Sequence, residues 1–580
     1  MTSRPDLGSR AALVWLTAAT SLGAAFRFYN LGWGAPYFHF HIDEHVVFTD
    51  AYLLARDTHA AAMSPKFFMY SPLPPYILNV LVRMYEAFVR PLDMALPRDQ
   101  VTYMILGRAI SATLGTATIP LVYLIASRMA GRVAGVLAAF FLAGSVIHLR
   151  DSHFFSLDVS MAFFTVLTWC FLVRTVERGG IGATIGSGVG LGLSLLSKYS
   201  AAFLAPLIGV AELLSPGGPV GIRPFRPWIR VAIRSAAAVA LGLAVFLVGY
   251  PLVIEYFSKF RTDIKDWVID PLSGTSKPEW IAQFADVNAV PYWFTNLLWW
   301  GLGPALEIWS IAGVIWLLFR RDRLALLAAA FPIAYGLSAG RTASIAPFIR
   351  YAVPLAPPLA VTAAVLSADL LRQPRWRRLG ATATAIVMTV TLGWAVAYMN
   401  VYREPDSRLE ASQWLLKYVP QDSKILIEPS QNTPPMGSYL TSINFRESYV
   451  MFYPQTEKHD YYWLYPIDTY RSLYNRGVTD DWRRTYVQSR LALADWIVMD
   501  DTYLQQYQHL PESDYGVVKQ YYRDLFAGKL GFQLVKTFKV YPSLFRRTIN
   551  DDQAELTFRL FDHPRVFVFV RKPAPPARSN

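Results

Sequence analysis

Asp43 and Glu44 stand side by side in the run His39-Phe40-His41-Ile42-Asp43-Glu44-His45. A carboxylate can take the proton of an attacking hydroxyl, and carboxylates among histidines can also ligate a divalent ion. A solvated loop pair has the same composition, so the run needs support from elsewhere. A second acid-rich stretch, His148-Leu149-Arg150-Asp151-Ser152-His153, leads through Phe154 to Leu157 into Asp158 at the start of an apolar segment. Asp158 there is an intramembrane ionisable group by position, although a helix N-terminus also accepts Asp as a cap or dipole partner. The cations are Lys198, in Leu195-Leu196-Ser197-Lys198-Tyr199, and Arg341 and Arg350, which bracket a short turn. A single Lys at a helix end fits snorkelling equally well. Three acids and three cations on one face suit a reaction in which carboxylates activate a hydroxyl while Lys and Arg hold a departing phosphate.

The elements that must position these groups are membrane spans. The chain of 580 residues is 53% hydrophobic and 14% aromatic but only 17% charged, too apolar for an ordinary soluble protein. Its formal charge of +13 sits in arginines between apolar stretches, a topogenic pattern that argues against nucleic-acid binding. Cys170 is the only cysteine, which excludes an intrachain disulfide and a cysteine metal cluster. Arg4 and Arg10 precede an apolar run without a clear cleavage site, as in an uncleaved signal anchor. A window of about 20 residues, enough to cross roughly 30 Å of hydrocarbon, predicts eleven spans near 11–28, 102–126, 133–149, 159–175, 181–197, 200–214, 235–252, 293–319, 324–340, 348–368 and 381–399.

Charge then sets the orientation. Arg128 and Arg132, Arg174 and Arg178, Arg223 to Arg234, Arg320 to Arg323 and Arg372 to Arg378 fall on the side of Arg4 and Arg10, which the positive-inside rule assigns to the cytoplasm. Loops 30–100, 150–158, 198–199, 253–292 and 341–347, with everything after residue 400, face outward. In the first loop, segments 46–57 and 76–90 read as interfacial helices joined by the stiff turn Met69-Tyr70-Ser71-Pro72-Leu73-Pro74-Pro75-Tyr76. The loop 253–292, with Trp267, Pro278 and Trp280, reads similarly. The expected architecture is an α-helical polytopic domain over 1–400 and an extracytoplasmic α/β domain over 401–580. In the latter, helices are predicted at 407–419 and 482–492, strands at 424–427, 496–499, 532–540, 556–560 and 566–570, and a long aromatic loop at 431–481. A transporter or flippase of a lipid-linked substrate would need similar charges. Inverted repeats typical of such folds are not evident here.

Several stretches resemble family 39 of the GT-C superfamily, the protein O-mannosyltransferase-like and lipid A aminoarabinose transferase-like enzymes. They are Arg108-Ala109-Ile110-Ser111-Ala112-Thr113-Leu114-Gly115, Ser152 to Asp158, Gly192 to Ser200, Arg350-Tyr351-Ala352-Val353-Pro354-Leu355, Ser407 to Trp414 and Asp562-His563-Pro564-Arg565-Val566. The resemblance implies a polyprenyl-phosphate-sugar-dependent glycosyltransferase on the outer face of the cell (inner) membrane, acting on a protein, lipid or glycan. By it, the active-site acids map to Asp43 and Glu44, and position at a span end adds Asp158 as a third catalytic candidate. Asp43 is expected as the base of an inverting displacement, and Lys198, Arg341, Arg350 and Tyr351 as the donor-phosphate site. Asp151-Ser152-His153 is the nearest counterpart of a metal-binding acidic motif in the related oligosaccharyltransferases, with His in place of the second acid, and Arg150, Asp151 and His153 are candidates to bind substrate or metal. A divalent ion, if used, has His41, Asp43 and His45 as candidate ligands, and Glu44 either shares it or orients the acceptor.

Overall fold

Apolar runs in hydrocarbon must satisfy every backbone N–H and C=O within the segment, and here they do so as helices. The computed structural model describes residues 7–35, 41–64, 67–93, 96–219, 226–276, 281, 284, 287–343, 346–430, 432–436, 457–459, 462–467, 469–475 and 477–573. The first ten helices are α1 (Ser9–Phe28), α2 (Ile42–Arg56), α3 (Thr58–Met63), α4 (Leu73–Phe88), α5 (Pro97–Ala143), α6 (Val146–Asp151), α7 (Leu157–Arg178), α8 (Ile181–Ser197), α9 (Leu204–Leu214) and α10 (Arg226–Gly249). Later come Pro304–Arg320, Arg323–Ala343, Ala356–Arg372 and Arg377–Met399. Among the described residues six helices are long and apolar enough to cross a membrane: Ser9–Phe28, Arg98–Ala143, Leu157–Arg178, Arg226–Gly249, Ile349–Arg372 and Arg377–Met399. Shorter apolar helices, Ile181–Ser197, Tyr199–Leu214 and Arg323–Ser338, stand beside them.

Two breaks shape this bundle. Inside α5 the helical geometry fails at Ala130 and Gly131, and Gly131 at φ 74° turns the chain back between Arg128 and Arg132. The stretch expected as one span at 293–319 is instead two helices, Ala289–Leu302 and Pro304–Arg320, bent by 117° at Gly303. The cause is local: Pro304 lacks the N–H that would continue the first helix and sits instead in the first turn of the second. α8 and α10 pack closely because Gly188 and Gly192 remove side chains from the seam. A Cβ at Gly192 would lie 2.7 Å from the Gly242 carbonyl, and one at Gly188 2.6 Å from that of Ala238.

The arginine-rich turns meet at one end of the bundle. Arg128 pairs with Glu177 at 3.2 Å, Arg132 reaches the Leu7 carbonyl at 3.0 Å, Arg320 pairs with Asp369 at 2.9 Å, and Arg372 reaches the Ala130 carbonyl. The starts of α2 and α7, the end of α8 and the turn before Ala356–Arg372 lie at the other end.

Beyond Met399 the chain builds a six-stranded mixed sheet from β1 (Lys424–Ile427), β2 (Glu457–His459), β3 (Tyr462–Pro466), β4 (Trp496–Asp500), β5 (Phe532–Phe538) and, after the hairpin β6 (Ser543–Leu544) and β7 (Arg547–Thr548), β8 (Val566–Arg571). The order is β2-β3-β1-β4-β8-β5, with β1 parallel to β3 and β4 and β8 antiparallel to β4 and β5. Strand alternation feeds two cores. Leu426, Ile497, Met499 and Phe569 face one; Ile425, Ile427, Val498 and Val568 face the other with Ala411 and Leu415 of the helix Ser407–Tyr418.

Two expectations are corrected here. Leu556–Leu560 is a helix, not a strand. The apparent alternation misled because Thr557 and Arg559 are as buried as their apolar neighbours, and Glu555 caps the turn by accepting from the Thr557 N–H at 3.0 Å. The expected loop at 431–481 contains β2 and β3, whose Tyr462, Trp463 and Tyr465 had the composition of interfacial anchors but pair in the sheet.

Candidate active site

α2 starts at the site, and His41 is its N-cap: Nδ1 accepts the Glu44 N–H at 3.4 Å. Burial holds the His41 imidazole at about 3, so the ring is neutral and free to accept. It lies between Phe154 and Phe561, with ring centroids 4.9 and 4.2 Å away. Adjacent helix residues are about 100° apart, so Asp43 and Glu44 serve different partners. Glu44 is fully buried, and both its oxygens are taken by Arg108 of α5, at 2.8 Å to Nε and 2.9 Å to Nη2. The Phe155 N–H adds a third donor at 2.9 Å. Arg108 in turn donates to the Leu31 and Trp33 carbonyls at 2.9 and 2.7 Å. This clamp fixes α2 to α5 and to the loop entering α7.

Asp43 faces a second arginine. Its Oδ2 pairs with Arg350, and its Oδ1 accepts from the Tyr70 hydroxyl at 2.8 Å. Burial works to raise the Asp43 carboxyl, but Arg350, with Tyr70 and Lys198, outweighs it and holds the group below the usual range. Burial and the nearby Asp43 push the Tyr70 hydroxyl up. Asp158 forms the matching pair, 2.6 Å from Lys198 Nζ. Ser156, not Asp158, caps α7, accepting the Asp158 N–H at 3.1 Å. Lys198 is therefore an ion-pair partner rather than a snorkelling residue. Tyr351 joins the two pairs, its ring centroid 5.2 Å from Lys198 Nζ and 5.7 Å from Arg350 Cζ. The Tyr351 carbonyl is held by the Tyr335 hydroxyl at 2.8 Å. The structure thus brings together Asp43, Asp158, Lys198, Arg350 and Tyr351: two carboxylates, two cations and an aromatic face.

Residues 101–253 match the family model described as dolichyl-phosphate-mannose-protein mannosyltransferase. The oligosaccharyltransferase of Archaeoglobus fulgidus in its apo form superposes with a TM-score of 0.54 at 13% identity, over 93% of this chain and 76% of that one. The chain has the GT-C fold. The lipid A galacturonosyltransferase RgtD of Rhizobium johnstonii is 33% identical over 91 residues, 16% of this chain, and the match spans 18% of that relative's length. ArnT of Cupriavidus metallidurans in its apo state aligns over 96% of this chain and 98% of that one at 14% identity, with a TM-score of 0.48. All of these similar proteins are glycosyltransferases.

The second loop is covered by the C-terminal region. Arg150 is buried and reaches Asp562 at 3.2 Å, Asp151 at 3.2 Å and the Thr557 carbonyl at 2.6 Å. Burial pushes the Asp151 carboxyl up to about 6. His153 stacks on Tyr402 with centroids 4.1 Å apart, and its Nδ1 lies 3.0 Å from the Leu149 carbonyl. Tyr398 and Tyr402 both donate to Asp562, at 2.8 and 3.1 Å. Arg150 and Asp151 therefore belong to a seam between the membrane helices and the sheet domain. The same seam touches the site: the Ile349 N–H, beside Arg350, donates to Glu555 at 3.1 Å.

His563 carries a pH-sensitive part of this seam, 2.6 Å from Asp562 and 2.8 Å from Asp551. Burial works to lower its value, but the two carboxylates raise it to about 9. Its stabilising contribution is complete below the ordinary value of 6.5 and is lost as the pH rises through about 9. Thermal unfolding in detergent should show stability falling over that window, and His563→Gln should flatten the slope. An identical slope in the variant would exclude this assignment.

Among the described residues no three His, Cys, Asp or Glu side chains come together as metal ligands. His41 Nδ1 is used as a cap while its Nε2 is buried without a hydrogen-bond partner among the described residues, Glu44 is taken by Arg108, and Asp43 by Arg350 and Tyr70. His39 and the side chains of His45 and Arg341 lie outside the described residues. Sequence reasoning missed two residues. Tyr70 was read only as part of a stiff turn, and no local signal marks its hydroxyl. Arg108 carried a signal that was available, a charge inside an apolar span.

Proposed function

We propose that this chain is a membrane glycosyltransferase that moves a sugar from a polyprenyl-phosphate donor to a hydroxyl acceptor at the outer face of the cytoplasmic membrane. The observation that carries this reading is the pair of acid–cation contacts, Asp43 with Arg350 and Asp158 with Lys198, facing each other across Tyr351. A lipid-linked donor suits it, since the tail stays in the bilayer while the phosphate stops at the depth where span ends carry charge. The family description, a lipid-phosphate sugar with a protein acceptor, supports the same donor class. The reading includes the eleven-span topology, the outward C-terminal domain and an inverting displacement.

In the proposed reaction the donor phosphate draws Arg350 and Lys198 toward its oxygens, which releases Asp43. The acceptor oxygen bonds to the anomeric carbon from the face opposite the phosphate, and its proton passes to Asp43. The bond from the anomeric carbon to the phosphate oxygen breaks, its electron pair leaving on polyprenyl phosphate, whose new charge the two cations stabilise. Glu44 acts as a positioning residue through Arg108.

The test is transfer of labelled sugar from polyprenyl phosphate in detergent, with and without chelator. Lys198→Ala and Arg350→Ala should raise the donor KM about tenfold or more, since each removes a charge-assisted contact worth about 1.5–3 kcal/mol. If only the acceptor KM rose, the cations would belong to the acceptor side. No transfer from any polyprenyl-phosphate sugar would sink the reading.

A further inference from the structure

At the end of the bundle opposite Asp43, α8 and α10 frame a groove of about 610 Å³. Its position is fixed by the helix directions. α8 begins at Ile181 and ends at Lys198 of the candidate site, while α10 begins at Arg226 and runs to Tyr250, whose ring lies 5.6 Å from that of Phe68 near the site. The 24 residues of α10 put the two ends about 36 Å apart. Ile181 and Ile233 line the groove at 74% and 63% exposure, with Ile185, Ile229, Ala237 and Leu241 continuing the apolar wall.

Charge is added on one helix face. Arg226, Arg230 and Arg234 stand at four-residue steps, so they form one column beside the apolar wall. Arg234, deepest in the bundle, is matched by Glu212 at 3.8 Å, which also accepts from Thr184 at 2.9 Å. Arg226 and Arg230 are exposed and form no ion pair with a carboxylate among the described residues. From Arg226 to Leu241 the groove extends about 22 Å along the helix, longer than the roughly 15 Å of hydrocarbon in one leaflet. Two cations at the mouth and an apolar channel of leaflet length below them match a phosphate joined to acyl chains.

We propose that this groove binds one anionic glycerophospholipid of the arginine-side leaflet, its phosphate between Arg226 and Arg230 and an acyl chain along Ile185, Ile233 and Leu241. Full-length protein in detergent, titrated with phosphatidylglycerol or phosphatidylcholine and read by native mass spectrometry, tests it. The protein should retain one phosphatidylglycerol in preference to phosphatidylcholine, and Arg226→Gln with Arg230→Gln should weaken that binding about 25-fold. Ala237→Trp, which fills the channel without altering charge, should also release the lipid. Arg377→Gln with Arg378→Gln, exposed arginines on another helix, should retain it. Equal retention of the two lipids, undiminished phosphatidylglycerol binding in the Arg226/Arg230 variant, or equal loss in the Arg377/Arg378 variant would each overturn the proposal. So would copurification of polyprenyl phosphate in place of glycerophospholipid in a manner that depends on Arg226 and Arg230.

Discussion

Asp43→Asn is expected to lower kcat for sugar transfer by about 100- to 10,000-fold, the usual contribution of a general base, while donor binding is unchanged or tighter. The second half follows from Arg350. Asp43 neutralises it in the structure, and an amide cannot, so the guanidinium is left to the donor phosphate. The same competition shapes the pH profile. In the free enzyme Arg350 holds the Asp43 carboxyl below its ordinary range against burial; with donor bound, the phosphate shares that cation and the carboxyl rises. The acid limb of kcat/KM, which reports free enzyme, should therefore lie at lower pH than the acid limb of kcat, which reports the complex. Steady-state rates with labelled donor from pH 3 to 8 decide this. Normal turnover in Asp43→Asn would remove Asp43 as base, and coincident acid limbs would mean that Arg350 never leaves it.

How far the sequence carried this reading is seen in particular pairs. Asp43, Asp158, Lys198 and Arg350 stood out because ionisable groups at span ends are costly unless used. Their pairing did not: 307 residues separate Asp43 from Arg350 and 40 separate Asp158 from Lys198, and no local pattern encodes which cation meets which acid. The apolar windows located the helices, since burial in hydrocarbon is a local property of composition. They failed at Gly303-Pro304, where a missing N–H mattered more than mean hydropathy. In the C-terminal region, alternation identified β1, β4, β5 and β8 but misread Leu556–Leu560, because a segment buried on all sides has no polar face to set its period. The adjacent pair Asp43 and Glu44 looked like one functional unit; the helix separates them, and Glu44 belongs with Arg108.

Arg108→Met is the substitution expected to cost most in stability, about 3–5 kcal/mol, because it leaves the Glu44 carboxylate buried with, among the described residues, only the Phe155 N–H for a partner. The Leu31 and Trp33 carbonyls lose their donor as well. Adding Glu44→Met removes the stranded charge, and replacing a buried pair by apolar side chains is often close to neutral. The double variant should therefore recover much of the loss, short of the part owed to the two carbonyls. Thermal unfolding in detergent measures both. If the double variant is no more stable than the single one, the clamp is not what holds α2 on α5. Its transfer rate then separates the two roles open to Glu44: a stable double variant that retains kcat makes Glu44 a positioning residue, whereas one that folds but loses kcat as fully as Asp43→Asn puts Glu44 in the chemistry.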